Sequence, residues 1–452
     1  MGVGSMSETW RFLKLEVVRT LWFLPSVSVI VSLVAGFVLS TIEVSEDAWY
    51  VDLVFKGTAS NARQLLSVIT GTMITVTGLV FALTVVALQI ASTQFSPRLL
   101  KFFLRDLGTR LVLSTFVATF AYSLAGLFTV GGKTDTGEEF LPSLAVTGAL
   151  ILALFSVGML VFYIQHITNS IRIDTVMYGV ERATVAAIHR VHPTSVNEDV
   201  VHIVRPSPPP EATVIAIDRS GYIEGANMDR LEKIAERHGI VIRIRSQIGH
   251  HLVDGSGLGW AWSVSGDPID GARVTAEVNH AIRVRFERIE DTDIGFGLRQ
   301  LIDVAMKAVA PSVNDPYTAV QAVQHMSVVL TTLGRVRTKD RFSLDAEGRV
   351  RVFVPEVDFE YHLATVCSHI RQVAARRPRV MEALLAMLET IAAGGTTASR
   401  RRAISVEIER VLADAKREIP QPADLAPVIA MADAAKYAAE HGTVARFTAS
   451  TG

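Results

Sequence analysis

The segment Val68–Ala91, VITGTMITVTGLVFALTVVALQIA, is predominantly apolar and contains no charged residue. An α-helix rises about 1.5 Å per residue, so a helix of this length crosses a hydrocarbon core roughly 30 Å thick. Three further stretches have the same character and lie at residues 21–42, 111–130 and 143–164. The first third of the chain therefore predicts four transmembrane helices.

Charged residues alternate in sign between the connections of these four stretches. The basic segments precede the first stretch, join the second to the third, and follow the fourth: Arg11, Lys14 and Arg19; Arg98, Lys101, Arg105 and Arg110; Arg172, Arg182 and Arg190. The other two connections are acidic: Glu43, Glu46, Asp47 and Asp52; Asp135, Glu138 and Glu139. Because basic loops stay in the cytoplasm, we expect both termini there. The basic segment at 94–106 also predicts an amphipathic helix along the membrane surface.

The chain beyond residue 165 mixes polar and apolar residues and is typical of a soluble region. The predicted fold class is an α-helical membrane domain with four transmembrane helices, followed by an α+β cytoplasmic C-terminal region. We divide the chain into a transmembrane domain at 1–165, a helical stalk and linker at 166–205, a small α+β barrel-like domain at 206–285, and a mainly helical domain at 286–452. The helical pattern that continues to about His192 predicts a rigid stalk in line with the fourth span.

Alternation and turn signals locate the first elements of the soluble region. Strands are predicted at 213–218, 222–224 and 240–245, with a helix that ends at His238 before Gly239. The glycine-rich segment 249–262 is similar to the strand-turn-strand of lipoyl and biotinyl carrier domains, but no lysine stands at its turn. Three helices are predicted near 379–393, 398–418 and 425–441.

Composition restricts the function. The formal net charge of −1 argues against a nucleic-acid binder, and the single cysteine, Cys367, excludes a disulfide framework. We find no phosphate-binding loop, nucleophile elbow or HExxH motif, so we predict neither a catalytic residue nor a cofactor. Surface charge explains the carboxylate-rich and histidine-containing segment 358–369 as well as a metal site does, so no metal ligand is predicted.

Two polar stripes follow the helix predicted from Val68–Ala91. Thr70, Thr77 and Thr84 are spaced by seven residues, and Thr75 and Gln89 belong to a second stripe with the same spacing. Threonines of this kind let membrane helices pack closely and can bond to their own backbone. Alternatively, one stripe lines a path for water or ions. All five residues are candidates for lining a pore, which four spans of one chain could enclose only in a symmetric homo-oligomer.

A second group of candidate residues lies in the soluble region. Arg299 and Asp303 stand four residues apart on a predicted helix and should form an ion pair. Asp315 is followed by Pro316, which predicts the start of the next helix. These residues and Asn314 have either a structural role or contact a ligand or a neighbouring subunit.

Two motifs carry a resemblance to a known family. Segments 71–84 and 94–100 together, and segments 296–305 and 312–320 together, resemble the bacterial predicted membrane proteins grouped as domain of unknown function 2254. Ala310 departs from the pattern, which is expected to have serine there. The resemblance implies a multi-pass protein of the bacterial inner membrane, with its soluble domain in the cytoplasm, and implies no activity.

These observations favour a homo-oligomeric ion channel or permeation pathway with a cytoplasmic gating or assembly domain, in contact with membrane lipid and not with nucleic acid. A membrane-anchored scaffold or ligand sensor without transport is the main alternative, and it predicts tightly packed spans. A membrane-linked enzyme is the other, and it predicts a cytoplasmic pocket with converging titratable groups.

Overall fold

The structure is a computed structural model that describes residues 22–42, 54–94, 98, 106–131, 141–192, 205–289, 292–336, 338 and 340–444. The chain divides into two compact units, residues 1–176 and 177–452. The acidic connections, the N-terminal basic segment and most of the expected amphipathic helix at 94–106 lie outside the described residues.

Among the described residues, the first unit contains four long helices: α1 (Phe23–Thr41), α2 (Ala59–Gln94), α3 (Leu107–Thr129) and α4 (Ser143–Ser170). Each is long and apolar enough to cross a membrane, which confirms the prediction of four apolar helices. The 36 residues of α2 make it longer than the predicted stretch, and at 1.5 Å per residue it extends about 54 Å. Its polar first turns were not predicted; there the Thr58 hydroxyl accepts a hydrogen bond from the Asn61 N–H at 3.3 Å.

Apolar side chains from three helices form the core of this unit. Leu66, Met73 and Val80 of α2 are buried in one cluster with Phe116 of α3 and Tyr163 of α4. The first three residues are spaced by seven, so they lie on one side of α2. That side is the packing face of the second span.

The predicted stalk is helical but is not continuous with the fourth span. Helix α4 ends at Ser170, and α5 (Ile173–Val191) begins after a short break. Before the break, the Thr168 hydroxyl donates to the Ile164 carbonyl at 2.8 Å and the Ser170 hydroxyl donates to the His166 carbonyl at 2.9 Å. The two segments are separate helices, so the prediction of one continuous helix was wrong here.

Two sheets and two helices begin the second unit. Its elements are β1 (Thr213–Ala216), β2 (Gly221–Ala226), α6 (Met228–His238), β3 (Ile240–Ile244), β4 (His251–Leu252), β5 (Gly257–Ser263), α7 (Gly271–Asn279) and β6 (Ile282–Arg285). The strand order is β4-β2-β6 in the smaller sheet, and β1-β5-β3 begins the larger one. The strands predicted from alternation are confirmed, but they form two sheets rather than one barrel.

The larger sheet is completed by a β-hairpin that was not predicted from the sequence. The hairpin consists of β7 (Arg341–Leu344) and β8 (Val350–Val354), and β8 pairs with β3 in parallel. The Asp345 carboxylate closes the turn by accepting hydrogen bonds from the backbone N–H groups of Glu347 and Arg349. The α+β core therefore extends beyond the predicted boundary at residue 285.

Helices make up the remainder of the second unit: α8 (Ile294–Ala308), α9 (Pro316–Arg335), α10 (Phe359–Ala374), α11 (Pro378–Ala393), α12 (Ala398–Glu418) and α13 (Pro422–His441). Side-chain caps fix several of their starts. Asp293 accepts a hydrogen bond from the Phe296 N–H at 2.9 Å, and Asp358 accepts one from the Tyr361 N–H at 2.8 Å. The helices predicted near the C-terminus are confirmed within a few residues.

Candidate functional site

The stripe of Thr70, Thr77 and Thr84, called the inner stripe below, lies beside the packing face of α2. All three residues are partly buried, and each hydroxyl donates to the carbonyl four residues earlier. The Thr84 hydroxyl also bonds to the Tyr163 hydroxyl of α4 at 2.7 Å. The inner stripe therefore takes part in packing within one protomer.

The other polar stripe faces away from the core. Gly71, Thr75, Gly78, Ala82 and Gln89, called the outer stripe below, are all exposed. At about 100° per residue they fall within a band roughly 60° wide, opposite the buried Leu66, Met73 and Val80. A side-chain carbon added at Gly71 or Gly78 would meet no other atom within 4 Å. The described residues of the first unit thus leave the outer stripe uncovered.

The four candidate residues of the second unit separate into two places. Arg299 and Asp303 form the expected ion pair on α8, with 3.2 Å between Nε and Oδ1. Asp315 caps α9 by accepting from the backbone N–H and the hydroxyl of Thr318, and these bonds lower its pKa. Asn314 has a φ of 52° in the preceding turn, a conformation that asparagine tolerates well. Asn314 and Asp315 therefore lie at the start of α9, whereas Arg299 lines a cavity.

That cavity is a groove between α8 and α10, about 400 Å³ in volume. Its lining is Arg288, Gly295, Leu298, Arg299, Ile302, Tyr361, His362, Ala364, Thr365, Ser368, His369 and Arg410. Four of these, Arg288, Gly295, Tyr361 and His362, also line an adjoining chamber of about 90 Å³. Glu356 and Gln247 line this chamber as well. Groove and chamber together form one polar site.

Three arginines of the groove are each held by a carboxylate. Arg288 donates to both oxygens of Asp293, at 2.6 and 2.8 Å. Arg410 donates from one terminal nitrogen to Glu407 at 2.6 Å, and Arg299 pairs with Asp303 as described. A guanidinium has five N–H groups, so these pairs leave donors for a ligand.

Two buried titratable groups face the chamber. His362 is 5% exposed, and burial lowers its pKa to about 4. The side chain of Glu356 is 8% exposed; burial raises its pKa to about 7, against the opposing effect of Arg341. Glu356 Oε2 has no hydrogen-bond partner among the described residues and lies 3.5 Å from the Nε of Arg341. The side chains of His362 and Glu356 can therefore bond to a molecule in the chamber.

Comparison with known proteins agrees with the motifs described above. Residues 18–390 match the family described as "Predicted membrane protein (DUF2254)". The chain belongs to this family. Uncharacterized proteins of Mycobacterium bovis and Mycobacterium tuberculosis are each 38% identical to it over 426 residues, which cover 94% of this chain and 82% of theirs. No solved structure matches the chain.

Most residues of the groove in this DUF2254 protein could not be found from its sequence. Arg288, His362 and Arg410 lie far apart in the chain and meet only through the packing of α8, α10 and α12. A signal existed for Asp293, which precedes a helical pattern and caps it. Within the described residues, no group of three histidine, cysteine, aspartate or glutamate side chains could hold a metal ion.

Proposed function

We propose that this protein is a homo-oligomeric permeation pathway for small ions in the bacterial cytoplasmic membrane. The outer stripe of α2 faces the same stripe of neighbouring copies around a central axis, with Thr75 and Gln89 toward the path. The observation that carries this proposal is the exposure of a narrow small and polar stripe on a helix that is otherwise apolar.

Two physical arguments support a contact between the outer stripe of α2 and a second copy of the chain. Small residues such as Gly71, Gly78 and Ala82 allow membrane helices to approach closely, and this contact gains van der Waals energy that lipid chains do not match. The Thr75 hydroxyl donates to the Gly71 carbonyl at 3.0 Å, and the polar atoms of Thr75 and Gln89 are more favourable against a polar neighbour or water than against lipid. The inner stripe is already packed within its own bundle, so it is not the lining.

The charge pattern supports the orientation that the proposal needs. Arg98 lies in the connection between α2 and α3, Arg110 lies in the first turn of α3, and Arg172 and Arg182 follow α4. Basic segments on this side favour a cytoplasmic position for it and for the second unit. The second unit then assembles or gates the pathway from the cytoplasm.

Flux into liposomes that contain the purified protein tests the proposal. Gly78→Leu should abolish flux and assembly without unfolding the protomer, because the space at Gly78 is open. Gly158→Leu on α4 is the matched control, since Gly158 also has no atom within 4 Å of an added side-chain carbon. A wild-type protein that conducts no ion under any gating condition, or equal loss of flux in both variants, contradicts the proposal.

The groove favours a second candidate function, a ligand sensor. It has the converging titratable groups that we also expected of a membrane-linked enzyme. The hydroxyls of Thr365 and Ser368 both donate to backbone carbonyls, and no base activates them within the described lining. We therefore infer binding rather than catalysis, and saturable binding by a protein that conducts no ions would favour a sensor over a channel.

A further inference from the structure

We propose that the groove between α8 and α10 binds a small organic anion, whose carboxylate or phosphate contacts Arg288, Arg299 and Arg410, and whose polar end reaches His362 in the chamber. This inference goes beyond the proposed permeation function and does not depend on it. The site lies within one protomer, so it is complete without a second copy.

The arrangement of the arginines and their acids supports an anion. The carboxylates lie deepest: Asp293, Asp303 and Glu407 have side-chain exposures of 7%, 13% and 5%. Their arginine partners are more exposed, at 28% for Arg288, 36% for Arg299 and 54% for Arg410, and all three line the groove. Each acid thus holds a guanidinium from its buried side. The N–H groups of the guanidinium that the acid does not use can bond to a carboxylate or phosphate.

His369 helps to position one of these arginines. Its Nδ1 lies 2.7 Å from the Thr365 carbonyl oxygen, which can only accept, so Nδ1 carries the proton. Nε2 is then an acceptor, and it receives a hydrogen bond from Arg299 at 2.9 Å. Two neighbours, Asp303 and His369, therefore fix the guanidinium of Arg299. Such preorganisation reduces the entropy lost on binding.

His362 is the observation that points to a ligand rather than to a surface cluster of charges. Its ring is buried and lines both cavities, yet none of the hydrogen bonds among the described residues reaches its nitrogens. The ring nitrogens are not among the fully enclosed atoms that lack a partner, so they open onto the cavities, where water or a ligand can bond to them. A polar group of the anion would satisfy His362, with Gln247 and Glu356 at the same chamber.

The cavity dimensions limit the size of the ligand. The chamber of about 90 Å³ holds a group of a few heavy atoms, and the groove of about 400 Å³ holds the rest of a metabolite-sized molecule. Gly295 lines both cavities, and a side-chain carbon there would lie 3.3 Å from both the Arg288 guanidinium and the His362 ring. A larger residue at position 295 would therefore narrow the passage between chamber and groove.

Calorimetric titration of the full-length protein in a neutral detergent tests this site. The probes are inorganic phosphate, glycerol 3-phosphate and citrate, each alone and after addition of phosphatidylglycerol. We expect at least one organic anion to bind saturably, one per chain, and more tightly than inorganic phosphate. Competition by phosphatidylglycerol would identify a lipid headgroup as the source of the anion, and its absence would identify a soluble metabolite.

Three variants separate a binding site from a structural cluster. Arg299→Gln and His362→Phe should each weaken binding of the organic anion at least about 10-fold, and His362→Phe should not lower the thermal stability, because no hydrogen bond among the described residues reaches the His362 ring. Arg349→Gln, in the exposed turn of the β7–β8 hairpin, is the control and should leave affinity unchanged. Absence of saturable binding by all probes, or equal affinity in wild type, Arg299→Gln and His362→Phe, would overturn the proposal.

Discussion

The hydroxyls of Thr84 and Tyr163 lie 2.7 Å apart and join the second and fourth membrane helices of one protomer. Tyr163 also donates to the Val80 carbonyl at 3.2 Å. The contact places Thr84 of the inner stripe against α4, whereas the outer stripe lies on a face of α2 that the described residues leave exposed.

Replacing the inner stripe with valines tests that assignment. The triple variant Thr70→Val, Thr77→Val, Thr84→Val nearly keeps the side-chain shapes and removes one bond between helices. Such bonds are worth on average about 0.6 kcal/mol in a membrane. We therefore expect near-normal thermal stability, assembly and ion flux, measured on the reconstituted protein. Flux that falls sharply while the oligomer persists would mean that the inner stripe lines the path.

The Asp315 cap provides a prediction for the second unit. Asp315→Ala removes the acceptor for the Thr318 N–H and hydroxyl at the start of α9. Loss of an N-cap typically costs about 1 kcal/mol, so the thermal midpoint should fall modestly. Anion affinity should not change, because Asp315 does not line the groove. A variant with normal stability but altered assembly or flux would contradict the structural role.

The free energy of unfolding should depend on pH through the protonation of His362. Burial lowers its pKa to about 4 in the folded protein, from the ordinary histidine value of 6.5. Between these two values the unfolded chain takes up a proton that the folded protein does not. The contribution of neutral His362 to the free energy of unfolding is therefore fully present above pH 6.5. It is lost as the pH falls toward 4, and the total loss is about 3 kcal/mol.

His362→Phe isolates this contribution from that of His192, whose pKa burial also lowers to about 4. Thermal unfolding of the full-length variant between pH 4 and 7.5 should show a shallower loss of stability in acid than wild type. The difference in the free energy of unfolding between the two proteins should be smallest at pH 7.5 and largest at pH 4. Parallel pH profiles for wild type and variant would refute the assignment.

Local signals made much of the fold predictable. Apolar length identified the four membrane helices, and Asp315 with Pro316 located the start of α9. The β7–β8 hairpin was missed because β8 pairs with β3, more than a hundred residues earlier in the chain, and no local pattern encodes such pairing.

The candidate sites were harder to predict for the same reason. Both stripes of α2 repeat small or polar residues at a spacing of seven, so the sequence alone could not say which stripe packs. Tyr163, brought in by α4, makes that distinction. In the groove, Arg299 was found through its i, i+4 pairing with Asp303. The segment 358–369, which includes His362 and His369, was noted but attributed to surface charge, and Arg410 arrives from another helix.

Disulfide cross-linking in membranes tests most directly whether the outer stripe of α2 faces another copy of the chain. The native Cys367 is buried, so it should contribute little background. We predict that Gly78→Cys forms a covalent dimer under mild oxidation and that Gly158→Cys, at an equally open position on α4, does not. Dimers formed by Gly158→Cys alone, or equally by both variants, would contradict the account.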